Sequence, residues 1–270
     1  MAMQQPDLFL PTIADVRPRD VRDLMAHNLF ALGSYKRTQP IEHYFGNNNS
    51  IIVRGNEEFG IANVYDQDLL LFLISSLQEQ IDRGNTIDTQ DQLFNIYDFA
   101  KFRGVRPSRI SGKTYQEIRS SLKRLTSTTI ETNVRGEWGI FPMLAGATTR
   151  DRDIIRRDKF DVQNFRVRLP PWLFEAVVKD RQVLSFSRDY FTIRGMLRRF
   201  VFLYSRKAIG TNKTSWRESL QSFMPKTGTL SNPREFRRLI TKLSDKPILT
   251  YQTSLEGDTI HFRKLTKKGD

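Results

Sequence analysis

The stretch that decides the fold covers residues 229–264 and reads TLSNPREFRRLITKLSDKPILTYQTSLEGDTIHFRK. A first helical turn tolerates proline, so Pro233 predicts a helix start that is capped by Ser231 or, alternatively, by Asn232. Apolar residues then recur at helical spacing and form one stripe: Phe236, Leu239, Ile240 and Leu243. Lys246-Pro247 ends this helix, because proline cannot continue it.

Two β-rich runs follow the helix, at residues 248–251 and 259–262, with the turn-forming Glu256-Gly257-Asp258 between them. A short basic helix followed by a hairpin is typical of the DNA-reading half of a winged helix-turn-helix domain. The alternative is a solvated surface helix beside a hairpin, and this stretch alone does not separate the two.

The same pattern occurs earlier in the chain, where Ile118 corresponds to Phe236 at an offset of 118 residues. Leu122, Leu125, Ile130 and Thr132 correspond at this offset to Ile240, Leu243, Ile248 and Thr250. Internal repeats indicate repeated structural units. We therefore predict an α+β protein with two tandem winged-helix domains. Residues 1–60 form an N-terminal extension whose small β element packs on the first domain, residues 61–150 form the first domain, and residues 151–270 form the second.

Within the first domain, the residues after the helix predict a wing that runs through 128–134 and returns through 138–141. Residues 148–161 carry many charges of both signs and are either an extended wing strand or an interdomain connector. The alternating residues 165–169 predict the strand that opens the second domain.

The positive charge is concentrated in the second half of the chain. The net charge is +13; residues 1–150 hold 17 Lys and Arg against 17 Asp and Glu, whereas residues 151–270 hold 26 against 13. A domain this basic is expected to bind polyanions. A membrane surface or an acidic protein is an alternative, but a basic amphipathic helix with aromatic anchors is not found outside the predicted domains. Nucleic acid is therefore the predicted partner.

Candidate DNA-binding residues lie on the two repeated helices and on the second wing. An arginine fork can bond guanine in the major groove, although phosphate contact or simple solubility would also explain these side chains. In the second domain the candidates are Ser231, Asn232, Arg234, Arg237, Arg238, Thr241, Lys242 and His261. In the first domain they are Lys113, Gln116, Ser120 and Lys123; Gln116, Ser120 and Lys123 correspond to Arg234, Arg238 and Thr241.

The chain lacks residues that several classes of enzyme require. Ser111-Gly112-Lys113-Thr114 resembles the end of a phosphate-binding loop, but Pro107 occupies the glycine position and no strand precedes the motif. The three histidines form no metal-binding pair, and the chain has no cysteine. We expect no enzymatic activity, no metal and no cofactor. No apolar run approaches the ~18 residues of a membrane span, and we expect a cytoplasmic protein.

Six short stretches, in this order, resemble the plasmid replication initiator protein A family. They are RDLM (22–25), KRTQPI (36–41), YDQDLL (65–70), LKRLTSTT (122–129), LPPWL (169–173) and KTGTL (226–230). The resemblance implies a non-enzymatic initiator that binds directly repeated sites, called iterons, in the double-stranded DNA of a plasmid origin. It also implies a homodimer through the first domain in equilibrium with monomer, repression of its own gene, and contacts with the host replication initiator and replicative helicase. A winged-helix transcriptional regulator and an origin-nicking rolling-circle enzyme remain the alternatives.

Overall fold

The structure is a computed structural model of the chain, and it describes residues 19–21, 25–33, 35–45, 48–133, 138–149, 154–157, 160–181 and 183–265. Helices and strands are mixed, as the sequence predicts. The α-helices in these ranges are α1 Gln67–Asp82, α2 Ile96–Phe102, α3 Gly112–Ser127, α4 Pro171–Val178, α5 Met196–Ile209, α6 Leu220–Lys226 and α7 Pro233–Ser244. Short 3-10 helices lie at Pro107–Arg109 and Arg188–Thr192.

The strands in the same ranges form four antiparallel sheets. They are β1 Arg19–Val21, β2 Ile41–Tyr44, β3 Ser50–Arg54, β4 Asp91–Asn95, β5 Thr129–Thr132, β6 Gly139–Pro142, β7 Gly146–Thr148, β8 Ile154–Arg157, β9 Phe160–Arg168, β10 Val183–Ser185, β11 Ser215–Ser219, β12 Tyr251–Glu256 and β13 Thr259–Lys264.

The C-terminal unit consists of α5, β11, α6, α7 and the hairpin β12–β13. Its sheet has the order β11-β13-β12. The predicted helix stripe is confirmed for Phe236, Ile240 and Leu243 on α7, which are buried, whereas Leu239 is half-buried. Around them the rings of Phe223 and Phe262 pack at 5.3 Å between centroids. This apolar contact joins the two short helices to the hairpin in one small core.

The first strand of this hairpin starts later than the sequence predicts, at Tyr251 rather than Ile248. Leu249 has a φ of 55°, which an extended strand does not allow. Ile248 and Tyr251 instead exchange backbone hydrogen bonds of 2.7 and 3.1 Å and close a turn. Ile130 lies in β5, so the repeat holds through the helix and ends before the strand.

The first unit consists of α1, β4, α2, α3 and the strands β7–β9. It repeats the arrangement of the C-terminal unit, which is the second unit. β4 and β11 each have five residues and each leads directly into a seven-residue helix, α2 or α6. Both helices are capped by the last strand residue: Asn95 accepts a hydrogen bond from the backbone N–H of Asp98, and Ser219 accepts one from Ser222. The helix α3 then buries Ile118, Leu122 and Leu125, as predicted.

The hairpin that pairs with β4 is not the predicted one. β5 and β6 pair with β3 in a separate sheet of order β2-β3-β5-β6, while β4 pairs with β9 in a sheet of order β4-β9-β7. The hairpin predicted at residues 128–141 is present as β5 and β6, but it pairs with β3 and not with β4. The order β4-β9-β7 corresponds instead to β11-β13-β12. The equivalent hairpin is formed by β7 and β8 with β9. The sequence does not separate the two hairpins, because both follow α3. The pairing of β5 with β3 depends on residues that are distant in sequence, such as Ile130 and Val53.

The described residues between 148 and 161 lie mostly in hairpin strands, because β7 ends at Thr148, β8 covers Ile154–Arg157 and β9 begins at Phe160. β7 pairs with β9 near Arg168, and β8 pairs with the other end of β9 from Ile154↔Gln163 to Arg157↔Phe160. β9 itself, which was expected to open the second domain, is the central strand of the first unit's sheet. Residues 134–137, between the two runs of the predicted wing, lie outside the described residues.

The two units share one hydrophobic core, and a buried ion pair joins them. Arg199 on α5 donates a hydrogen bond of 2.6 Å to the carboxylate of Asp68 on α1. Both residues are buried, at 2% and 0% exposure. Burial raises the pKa of the Asp68 carboxyl, and the charges of Arg199 and Arg103 partly oppose this rise.

The segment before β2 holds the turn between α6 and α7. The side chain of Asn28 donates to the carbonyl of Thr227 at 2.8 Å, and Arg37 donates to the carbonyl of Gly228. Gly228 has a φ of 63°, and a Cβ atom there would lie 2.7 Å from Ile41. The N-terminal segment thus fixes the turn that leads into α7.

Candidate nucleic-acid interface

The N-terminus of α7 is set by Asn232 and Pro233. The side-chain oxygen of Asn232 accepts a hydrogen bond of 2.9 Å from the backbone N–H of Glu235. Asn232 is therefore the N-cap, which corrects the prediction of Ser231. Pro233 occupies the first helical position, where its missing N–H costs no hydrogen bond, and this places the cap at the residue before it. Ser231 is half-buried, and its N–H donates to the hydroxyl of Thr229.

The exposed face of α7 carries Arg234, Arg238 and Thr241. Among the described residues the Arg234 side chain makes no hydrogen bond or ion pair, so its guanidinium group is available to a ligand. Arg238 makes two hydrogen bonds, of 2.9 and 2.7 Å, to the carboxylate of Glu235. This contact holds the pKa of the Glu235 carboxyl below its ordinary value. The pair is exposed, so a phosphate can replace Glu235 at small cost.

Arg237 points to the hairpin instead. It donates a hydrogen bond of 2.9 Å to the carbonyl of Gly257 and forms an ion pair with Asp258, both in the β12–β13 turn. Arg237 thereby ties the hairpin tip to the middle of α7. The sequence predicts it as a DNA contact, and the structure places it where it sets the position of the hairpin relative to the helix.

The two remaining predicted residues of this unit are Lys242, at the edge of this face, and His261, on β13. Lys242 is exposed near the C-terminus of α7. His261 is half-buried on the outer side of the sheet, opposite Arg217 and Ser254, and its Nε2 is 3.4 Å from the Glu256 carboxylate. His261 is therefore separated from the α7 face that carries Arg234.

On α3 all four predicted residues are exposed. Lys113 stands in the first turn, and Gln116, Ser120 and Lys123 follow one helix face. The Lys123 ammonium group lies 5.3 Å from the centroid of the Phe59 ring, which holds it in place. The structure thus gathers the predicted residues into two exposed groups, one on α3 and one on α7.

Some candidate residues were missed from the sequence. Arg119 lies on the same α3 face as Gln116 and Lys123 and is exposed, and its helical spacing could have revealed it. Arg124, one residue beyond Lys123, is different, because its guanidinium group makes two 2.7 Å hydrogen bonds to Asp66 and is part of the fold.

The β8–β9 hairpin is a second missed candidate. Residues 154–168 include five Lys or Arg and two Asp: Arg156, Arg157, Lys159, Arg166 and Arg168 against Asp158 and Asp161. No residue spacing could have shown its position, because the pairing of β9 with β4 spans 69 to 77 residues, from Asn95↔Asn164 to Asp91↔Arg168. Arg168 is held by Asp91 at 2.8 Å, whereas Arg166 is exposed.

Neither a metal cluster nor a membrane span is present in the part of the chain that the structure describes. Within that part, no three His, Cys, Asp or Glu side chains are grouped so that they could hold a metal ion. None of its helices is long and apolar enough to cross a membrane.

Comparison with known proteins supports the resemblance seen in the sequence. The profile of the family described as "Replication initiator protein A" matches residues 19–251. The chain belongs to this family. A relative named "Putative replication protein", from Wigglesworthia glossinidia brevipalpis, is 30% identical over 246 residues, which is 89% of this chain and 86% of the relative. Membership of the replication initiator protein A family supports a role in the initiation of replication.

Two solved structures share the fold of this family member. A crystal structure of domains 2 and 3 of RctB matches with a TM-score of 0.62 at 15% identity and covers 91% of this chain and 99% of that chain. A second structure of RctB domains 2–3 matches with a TM-score of 0.55 at 16% identity, covering 90% and 96%. Both likenesses extend over the two units of the initiator.

Proposed function

We propose that the chain is a non-enzymatic plasmid replication initiator that binds double-stranded DNA at directly repeated origin sites, the iterons. The observation that carries the proposal is the exposed face of α7: within the described residues Arg234 has no partner, and Arg238 contacts the exposed carboxylate of Glu235. The family supports a replication role, and the net charge of +13 supports a polyanionic partner.

Each unit is proposed to be a winged helix. In both units a helix, a short strand, a seven-residue helix and a longer helix are followed by a hairpin whose last strand is central in the sheet. α7 and α3 take the place of the reading helix, which enters the major groove with its N-terminal residues. Arg234 and Gln116 lie in or next to the first turn of their helices, where such contacts occur.

Two reading helices on one chain fit successive major grooves that are about one helical turn, roughly 10 bp, apart. We expect the C-terminal unit to supply most of the affinity because the excess positive charge lies there, and the first unit to add register and selectivity. Arg166, which is exposed on β9, adds a phosphate contact to the first unit.

The homodimer is proposed to form through the first unit, on the outer face of the β2-β3-β5-β6 sheet. This face leaves large side chains in solvent: Tyr44 is 70%, Trp138 68% and Ile140 53% exposed. Residues 1–150 carry no net charge, so two such surfaces can approach without repulsion. The exposed apolar residues on one sheet face are typical of an interface.

We further propose that several bound copies bend the origin and strain an AT-rich neighbour until the duplex opens. Binding energy can supply this deformation without any catalytic group. Contacts with the host initiator and the replicative helicase would then load the replication machinery, and the dimer would repress the initiator's own gene. The protein would act in the cytoplasm on its plasmid.

Footprinting on the DNA that flanks the protein's own gene tests the proposal. We expect regularly spaced, directly repeated protected sites for the native chain. The double variant Arg234→Ala with Arg238→Ala should lose the part of this protection that α7 supplies and most of the affinity. The control Lys101→Ala with Lys179→Ala removes two exposed charges outside the two reading helices and should retain the full protection.

Other outcomes would identify the competing functions. A single protected inverted repeat, with no direct repeats, would favour a transcriptional regulator. A protein–DNA adduct that survives a denaturing gel would show a nicking enzyme with a tyrosine nucleophile. Protection that both double variants retain equally would show that α7 is not the reading helix.

A further inference from the structure

An open groove of about 700 Å³ lies beside α7. Its other walls are the start of α5 and four residues of the N-terminal segment: Leu32, Gly33, Tyr35 and Arg37. Aliphatic side chains from these three parts and from the turn before α7 form its floor: Leu32, Met196, Leu197, Leu230, Leu239 and Leu243. None of these belongs to the exposed α7 face that carries Arg234.

Two of the large apolar side chains that line the groove are left in solvent. Leu230 is 49% exposed, and Tyr35, at the rim, is 65% exposed. Single exposed apolar residues are ordinary on a protein surface. Here the exposed leucine continues a leucine-rich floor in a concave site, which is typical of a surface that another molecule covers.

The rim of the groove is basic. Lys242 and Lys246 are exposed there, whereas Arg198 is half-buried and donates a hydrogen bond of 2.9 Å to the carbonyl of Pro247. Asp245 is the one acidic residue among the lining residues. Within the described part of the chain, Lys242 and Lys246 form no ion pair. Arg37 also reaches the groove, but its donors are occupied by the carbonyls of Gln39, Pro40 and Gly228. The charge that a ligand meets is therefore positive and belongs to the rim.

We propose that the groove binds an acidic peptide segment of a partner protein, with an apolar side chain on the leucine floor and carboxylates against the rim. Charge complementarity selects acidic flanks, and the aliphatic floor selects an apolar anchor. Single-stranded DNA fits less well, because base stacking requires aromatic platforms and Tyr35 is the only aromatic residue of the lining. A second copy of this chain would bring a net charge of +13 to a basic rim.

The groove borders the proposed DNA-binding face, because Lys242 lies on the rim and at the edge of that face. A bound acidic peptide would neutralise Lys242 and occupy space beside the DNA backbone. This consequence rests on the proposed function: peptide and DNA should compete. The peptide site itself does not depend on it and can be tested without DNA.

The test is a selection of displayed 12-residue peptides, from an unbiased library, against the full chain, followed by fluorescence anisotropy with the best synthetic peptide. We expect selected peptides to combine acidic residues with Leu, Ile or Phe. Leu230→Asp, in the floor, and Lys242→Glu with Lys246→Glu, on the rim, should each weaken binding at least roughly tenfold. The matched charge reversal Lys101→Glu with Lys179→Glu lies outside the groove and should change the affinity less than about twofold.

Several results would overturn the proposal. Selection of basic or purely polar peptides would do so, as would recovery of no binder at all. Equal weakening by the rim and control reversals would show that only the overall charge matters. Groove-dependent binding of labelled oligothymidylate, or self-association lost in Leu230→Asp, would assign the groove to single-stranded DNA or to a second copy. Peptide binding with no DNA binding would leave this site in place and reject the proposed function alone.

Discussion

Removing Arg199 should destabilise the protein more than removing any exposed cation, because Arg199 neutralises the buried Asp68 between the two units. Besides its 2.6 Å bond to Asp68, Arg199 donates to the carbonyls of Ile193 and Phe191. In Arg199→Leu, Arg103 is the cation that remains beside the Asp68 carboxylate among the described residues; its Nε is 3.2 Å away, and its side chain is 34% exposed.

Breaking a buried ion pair by removing one partner costs about 3–5 kcal/mol. A chain of this size loses about 2–4 °C of melting temperature per kcal/mol, so we expect a decrease of roughly 6–20 °C. Arg103→Leu removes a partly exposed cation and should cost no more than about 1 kcal/mol. The double variant Asp68→Leu with Arg199→Met should recover most of the loss, because no buried charge is then left unpaired.

Urea unfolding followed by circular dichroism, with a thermal melt of each variant, gives these free energies. A loss below about 1 kcal/mol for Arg199→Leu, or a loss equal to that of Arg103→Leu, would refute the assignment of a buried ion pair. A double variant as unstable as Arg199→Leu would show that the packing of the arginine side chain, and not its charge, supports the junction.

Three further predictions concern the second unit and the segment that holds it. Burial and the charges of neighbouring groups, foremost His43, lower the pKa of His27 to about 4. The free energy of unfolding should therefore decrease as the pH falls from about 6.5, the ordinary pKa of histidine, towards 4. His27→Gln should flatten this part of the pH dependence, measured by urea unfolding at a series of pH values. Gly228→Ala should lower the free energy of unfolding by about 1–3 kcal/mol, and thermal melts should show a larger loss than for Gly257→Ala. Both glycines have a positive φ, but an added Cβ atom has open space at Gly257 and would meet Ile41 at Gly228. Asn232→Ala should cost about 1 kcal/mol by the same measurement; an equal loss at Ser231→Ala would contradict the cap assignment.

Helices were predictable from the sequence where one face had to be buried. The stripe Phe236, Ile240 and Leu243 on α7, and its counterpart on α3, need only local spacing and a cap to define them. The exposed arginines follow directly, because residues opposite a buried stripe must face solvent.

Strand pairing was less predictable, because it depends on partners that are distant in sequence. The hairpin β5–β6 follows α3 and resembles a wing, yet it pairs with β3, while β4 is joined by β9 from beyond that hairpin. Nothing local distinguishes the two hairpins, since both alternate in the manner of strands. The roles of Arg237 and Arg124 were hidden for the same reason: their partners, Asp258 and Asp66, are 21 and 58 residues away.

The most direct test of the central claim is hydroxyl-radical footprinting on a single origin repeat. We expect the native chain to protect two backbone segments about one helical turn, roughly 10 bp, apart. Arg234→Ala with Arg238→Ala should lose one segment and most of the affinity, and Lys113→Ala with Gln116→Ala should lose the other with a smaller loss of affinity. A single segment in the native chain, or the loss of the same segment in both variants, would contradict two DNA-reading helices on one chain.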